Sequence, residues 1–123
     1  QDYALRLGAM TRSVMMSGAL ESALELVVDY SLTRQQFGRS ISKFQAIQHQ
    51  LATVAGEVAA SIRAADSLAQ LQQPVELEVA FAKSRVGQAC GPCAEVAHQV
   101  MGAIGYTLEP KCHCWQFCQA RVV

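Results

Sequence analysis

The chain has 123 residues, is 51% hydrophobic, and balances ten basic against ten acidic residues, which suffices for one compact domain with its own core but is short for two. It carries no basic stripe to track a phosphate backbone, which argues against nucleic acid as a partner. No apolar run reaches the roughly 18 to 20 residues that span a bilayer, and the opening QDYALRLGAM lacks a signal peptide's basic-then-apolar order, so a cytoplasmic protein without a membrane span is expected.

The sequence starts at Gln1 with its apolar positions already in mid-pattern, as a piece of a longer protein would. Over about residues 3–33, Leu20, Leu24, Val27 and Val28 recur at spacings of three and four, with Glu21, Glu25 and Asp29 on another face. This predicts one long amphipathic helix. A second is predicted over about residues 42–72, where Ile47, Leu51, Val54, Val58, Ile62 and Ala65 line a single stripe. Pro74, tolerated in a first helical turn, and the acids Glu76 and Glu78 mark the start of a third helix. It should run through Val79, Val86, Ala89, Val96 and Val100, bend at Pro92, and stop at Gly102 to Gly105. The small residues Ala55, Gly56, Ala59, Ala60, Ala64 and Ala65 are expected to let helices approach closely. No strand of useful length is predicted. The expected fold is all-α, an antiparallel helical bundle forming a single domain over residues 1–123.

Cys90-Gly-Pro-Cys93 has the spacing of a thioredoxin-type dithiol. Such a dithiol opens a helix after a strand, where the dipole lowers the thiol pKa, whereas this pair falls inside the third helix. Buried structural thiols are the expectation. Cys112, His113, Cys114 and Cys118 use zinc-compatible chemistry but lack a second ligand pair at a defined distance, so no metal site is assigned. The absence of a secretory signal favours reduced thiols. His49 and His98, each beside a glutamine, are read as surface or capping groups.

Thr33 to Gln50, TRQQFGRSISKFQAIQHQ, concentrates polar side chains at the break between the first two helices. Gly38 permits an unusual φ there, and Ser40 or Ser42 can cap the next helix. Arg34 and Gln36 beside Phe37 suit an anion with an adjoining flat ring, since arginine offers fixed bidentate donors to a pyrophosphate. Gln99 and the small residues after it let a backbone approach a ligand. From the chemistry alone, a capped corner with Arg34 at a helix C-terminus and Phe37 in the core is the favoured reading.

Arg34-Gln-Gln-Phe37-Gly38 followed by Ile41, Phe44 and Gln45 resembles the first signature of the acyl-CoA dehydrogenase C-terminal domain. His98-Gln99-x-x-Gly102-x-x-Gly105-Tyr106-Thr107 resembles the second. The resemblance extends to about Pro110. It implies that the chain is the C-terminal part of a flavin-dependent enzyme of lipid metabolism. It also implies FAD as cofactor, an acyl-CoA substrate, an electron-transfer acceptor, and homo- or hetero-oligomers assembled through helical faces. By the same resemblance Arg34 meets the flavin pyrophosphate, with Gln36, Phe37 and Gln45 close by, and Gln99, Gly102 and Ala103 lie at the adenosine end of a flavin held largely by another subunit. Ala103 stands where a glycine is common in the family. The family's usual catalytic glutamate lies in a Tyr-Glu-Gly-Thr-like segment that this chain lacks, and an alternative position aligns with Gly8, so no base is assigned. Residues 111–123, KCHCWQFCQARVV, form an atypical tail, read as a shifted frame or a divergent terminus.

Three functions follow: a flavoenzyme domain whose remaining pocket is supplied elsewhere, an inactive assembly subunit or remnant, and a thiol redox or zinc protein. An absorbance spectrum with a metal assay separates them. A stoichiometric flavin band marks the first, a colourless metal-free oligomer the second, and bound zinc the third.

Overall fold

A computed structural model describes residues 2–73 and 75–102. Helix α1 spans Asp2–Thr33, strand β1 Gln35–Gln36 and strand β2 Arg39–Ser40; a 3-10 turn over Ile41–Lys43 leads into α2, Gln45–Ala69, and α3 is Glu76–Met101. The three helices pack pairwise, each against both others, as the all-α antiparallel bundle expected from the periodicity. No helix among the described residues is long and apolar enough to cross a membrane.

Helix α1 buries Met16, Leu20, Ala23 and Val27 on one stripe, the face that the three-and-four spacing marks. Val54, Val58, Ala65 and Leu68 of α2 are buried, with Ile47, Leu51 and Ile62 partly covered beside them. Four buried serines, Ser13, Ser17, Ser31 and Ser61, donate their hydroxyls to carbonyls three or four residues earlier in their own helices, at 2.7 to 2.8 Å. This local pairing removes the penalty for burying a hydroxyl and keeps these side chains short at the contacts. Close approach therefore rests on these serines and on Ala82, Ala89, Ala94 and Ala97 of α3, all buried. The small residues expected to fill this role in α2 mostly do not, since Ala55, Gly56 and Ala59 face outward and only Ala65 is buried.

The break after α1 differs from a helix interrupted at Gly38. The helix ends at Thr33, and a two-residue hairpin follows, pairing Gln35 with Ser40 and Gln36 with Arg39. Its turn residues Phe37 and Gly38 have φ of 53° and 77°, the two positive values that a type I′ turn requires. Neither Ser40 nor Ser42 caps α2. Their hydroxyls pair with each other at 2.9 Å, and Phe44 holds the extended cap position without a side-chain cap bond.

Helix α3 starts at Glu76, and Pro74 lies outside the described residues. It continues through Pro92, which sits on the exposed face, and ends at Gly102, whose φ is 59° and whose N–H donates to the His98 carbonyl. Cys90 and Cys93 are both buried in mid-helix. Burial pushes the Cys93 thiol up to about 11, helped by the Glu57 carboxylate and opposed by Arg85. Glu57 and Arg85 form a half-buried ion pair at 2.7 Å that links α2 to α3. A thiol held protonated in this way is a poor nucleophile, the reverse of a thioredoxin-type site.

Cys93 therefore couples stability to alkaline pH. Its folded value of about 11 exceeds the ordinary 9.0, so between these values the folded state keeps a proton that the unfolded state has lost. Its contribution should be intact below about pH 9 and decline as the pH climbs to about 11, by roughly 2 to 3 kcal/mol. Urea unfolding of wild type and Cys93→Ala across that range checks this. The variant should show a shallower alkaline decline from whatever stability it starts with, and an equal slope would assign the effect to another group.

Candidate functional site

The end of α1, the hairpin, the start of α2 and the end of α3 enclose one open cleft of about 570 Å³, a size typical of small-ligand sites. Arg34, Gln36 and Phe37 line it from the first corner, and Gln99 and Gly102 line it from the last turn of α3. Ile41, Val100 and Met101, all buried, and the half-buried Ile47 supply its apolar lining. Tyr30 and Phe44 add aromatic rings, and Ala46 completes the wall at the start of α2.

Local backbone geometry explains how these side chains reach the cleft. The Arg34 N–H donates to the Tyr30 carbonyl at 2.8 Å as the last helical contact of α1, while the Arg34 carbonyl accepts the Ile41 N–H at 2.9 Å. The hairpin is thereby closed at its base. Phe44 is held between two neighbours, with the Phe37 ring edge-on at 6.3 Å and the Arg39 guanidinium 4.3 Å above its centroid. Both arrangements are favourable, the first through ring quadrupoles and the second through cation–π attraction.

Arg34 is the one charged side chain among the described lining residues, and no described carboxylate lines the cleft. Among the described residues, the Arg34 guanidinium makes no ion pair or hydrogen bond, so its fork of donors is available to an anion. Phe37 is 93% exposed, which contradicts the capped-corner reading that placed it in the core. An extended aromatic at positive φ gains nothing from burial within this chain, and its free face suits a flat ring. Among the described residues, no atom lies within 4 Å of where a Cβ on Gly102 would sit, which leaves its backbone open to close approach by a ligand.

Of the residues singled out in the sequence, Arg34, Gln36, Phe37, Gln99 and Gly102 come together. Gln45 does not line the cleft; it is exposed in the first turn of α2, between the lining residues Phe44 and Ala46. Ala103 and Cys112, His113, Cys114 and Cys118 lie outside the described residues. Sequence reasoning missed Tyr30, one helical turn before Arg34, and Gln50, whose Nε2 donates to the Gln99 Oε1 at 2.7 Å. Position could have revealed both: Tyr30 is four residues before Arg34, and Gln50 lies three and four residues beyond Ile47 and Ala46 on one helix face.

The family model described as "Acyl-CoA dehydrogenase, C-terminal domain" matches residues 2–122. Glutaryl-CoA dehydrogenase of Desulfococcus multivorans is 34% identical over 96 residues, covering 75% of this chain and 25% of that protein. The caffeyl-CoA reductase-Etf complex subunit CarC of Acetobacterium woodii is 31% identical over 109 residues, covering 86% and 28%. Among solved structures, the ChsE4-ChsE5 complex from Mycobacterium tuberculosis contains a similar fold with a TM-score of 0.80 at 27% identity, covering 92% of this chain and 32% of that one. The chain thus spans between 25% and 32% of the length of these proteins.

The exposure of Phe37 is open to a direct check by chemical unfolding. Phe37→Ala should change stability by less than about 1 kcal/mol, against the 3 to 5 kcal/mol that truncating a buried phenylalanine costs. A loss in the larger range would return Phe37 to the core.

Proposed function

The chain belongs to the acyl-CoA dehydrogenase family, whose C-terminal domain it carries, and from that membership we propose that it forms one wall of an FAD site in a longer flavoenzyme that dehydrogenates acyl-CoA thioesters. One observation carries the reading. Arg34, Gln36 and Phe37 of the first signature and Gln99 and Gly102 of the second, far apart in sequence, line the same cleft. Members of this family are FAD-dependent, and the lining residues fit that cofactor through a guanidinium and a glycine backbone that are both open among the described residues, and an exposed aromatic face.

In this reading Arg34 holds the pyrophosphate with its two parallel N–H donors, and Gln36 adds a neutral partner beside it. Phe37 lies against the flat portion of the cofactor and keeps water from that side. Gln99 and the Gly102 backbone meet the adenosine end. When bound, the flavin supplies the two-electron redox step of α,β-dehydrogenation. The residues of this chain bind and orient, and none is given the role of base: the alternative family position is occupied by Gly8.

As formed by the described residues the cleft is open, and Phe37 at its edge is exposed; we assign the remaining wall to a preceding domain and a neighbouring subunit. Helical faces such as the outward Ala55, Gly56 and Ala59 of α2 would form part of that assembly. Acyl-CoA and an electron-transfer acceptor are the partners of the assembled enzyme; CarC, by its name a subunit of a complex with Etf, supports the second.

Arg34→Ala in the complete flavoprotein should weaken FAD binding by about 1.5 to 3 kcal/mol, roughly ten- to 150-fold, when the apoprotein is titrated and flavin fluorescence is followed. Unchanged affinity would remove Arg34 from the site. The chain by itself should bind FAD weakly or not at all and should not oxidise acyl-CoA.

A further inference from the structure

We propose that Gln50 is a positioning residue for the nucleotide site, holding the Gln99 amide at the cleft wall with one end available to the ligand. This rests on the FAD-site reading and deepens it, because it names what keeps Gln99 in place.

Gln99 lines the cleft from the last turn of α3, and Gln50, on the facing side of α2, does not line it. The Gln50 Nε2 donates to the Gln99 Oε1 at 2.7 Å, across 49 residues of sequence. A primary amide has one acceptor oxygen and one NH2 group with two donors. Because Gln50 carries the same two kinds of group, the pair leaves one end of the Gln99 amide for the ligand whichever way the bond runs. In the pairing seen here that end is the NH2 group, which suits an acceptor: a phosphate or ribose oxygen, or an unprotonated ring nitrogen. Without Gln50 the exposed Gln99 side chain would sample other rotamers and leave the cleft wall part of the time.

The bond is exposed, so it adds little to folding stability while still holding a side chain in place. This separates a positioning role from a structural one. Gln50→Met keeps the length of the side chain and removes its donor without adding charge. In the complete flavoprotein it should weaken FAD binding two- to tenfold and leave the urea midpoint unchanged. Gln99→Met should weaken binding at least as much. The double variant should match Gln99→Met alone, because Gln50 acts through Gln99.

Additive losses in the double variant would overturn the proposal, as would unchanged affinity in Gln50→Met while Gln99→Met and Arg34→Ala both bind poorly. Unchanged affinity in all three variants would instead remove the FAD-site reading on which the proposal stands.

Discussion

The hydrogen bond from the Ile41 N–H to the Arg34 carbonyl, 2.9 Å long, fixes most of what matters at the cleft end of the bundle. It closes the hairpin immediately beyond α1, so Arg34 stays one residue from the helix end and cannot swing away with a flexible loop. It also brings Ile41 back into the core, where it is 7% exposed and joins Leu20, Val58 and Val100 in the main apolar cluster. Burying that side chain stabilises the corner by roughly 1.5 to 3 kcal/mol. This burial anchors a turn whose Phe37 adopts the left-handed conformation that costs a residue with a Cβ about 1 to 2 kcal/mol. The strain sits at the one exposed aromatic among the described residues that line the cleft, and it is offset by packing a few residues away.

The rest of the bundle serves that end by being closely packed. Serines that satisfy their own hydroxyls and a row of alanines on α3 let three helices come together with few large side chains. Larger groups such as Tyr30, Phe44 and Ile47 collect around the cleft. The Cys90–Cys93 pair belongs to the closely packed region. Its spacing suggests redox chemistry, but burial and the neighbouring Glu57 carboxylate keep Cys93 protonated, so the same sequence pattern has a packing role here. Environment decides the outcome: a thiol at a helix start gains from the dipole and from water, and one in mid-helix has neither.

The helices were legible because burial repeats every three or four residues along α2 and the central part of α1, and Gly102 closes α3 with a positive φ. The hairpin was not. Strands of two residues have no period to detect, and a phenylalanine is an unexpected occupant of a position with positive φ. The candidate site was half legible. The spacing of the two signatures pointed to Arg34 and Gln99, but the helical phase of α2 turns Gln45 outward while Ala46 and Ile47 line the cleft. Gln50 went unnoticed because its significance lies in a partner 49 residues away, a relation that no local pattern contains.

The polarity of the helices gives Arg34 more weight than a single surface cation usually has. Residues from the C-terminal ends of α1 and α3 and the N-terminal end of α2 line the same cleft. Two negative dipole ends therefore face one positive end. The backbone field alone would disfavour a pyrophosphate. The first-turn amides of α2 offset part of this, since Phe44 supplies no side-chain cap to occupy them. The remainder falls to the guanidinium, the one charged lining side chain among the described residues, which lies at the end of α1 where a cation also stabilises the helix. If an anion occupies the cleft, as proposed, removing Arg34 would leave it facing two helix C-termini that the α2 amides offset only in part, so the proposed site would depend on Arg34 for its sign as well as for its geometry.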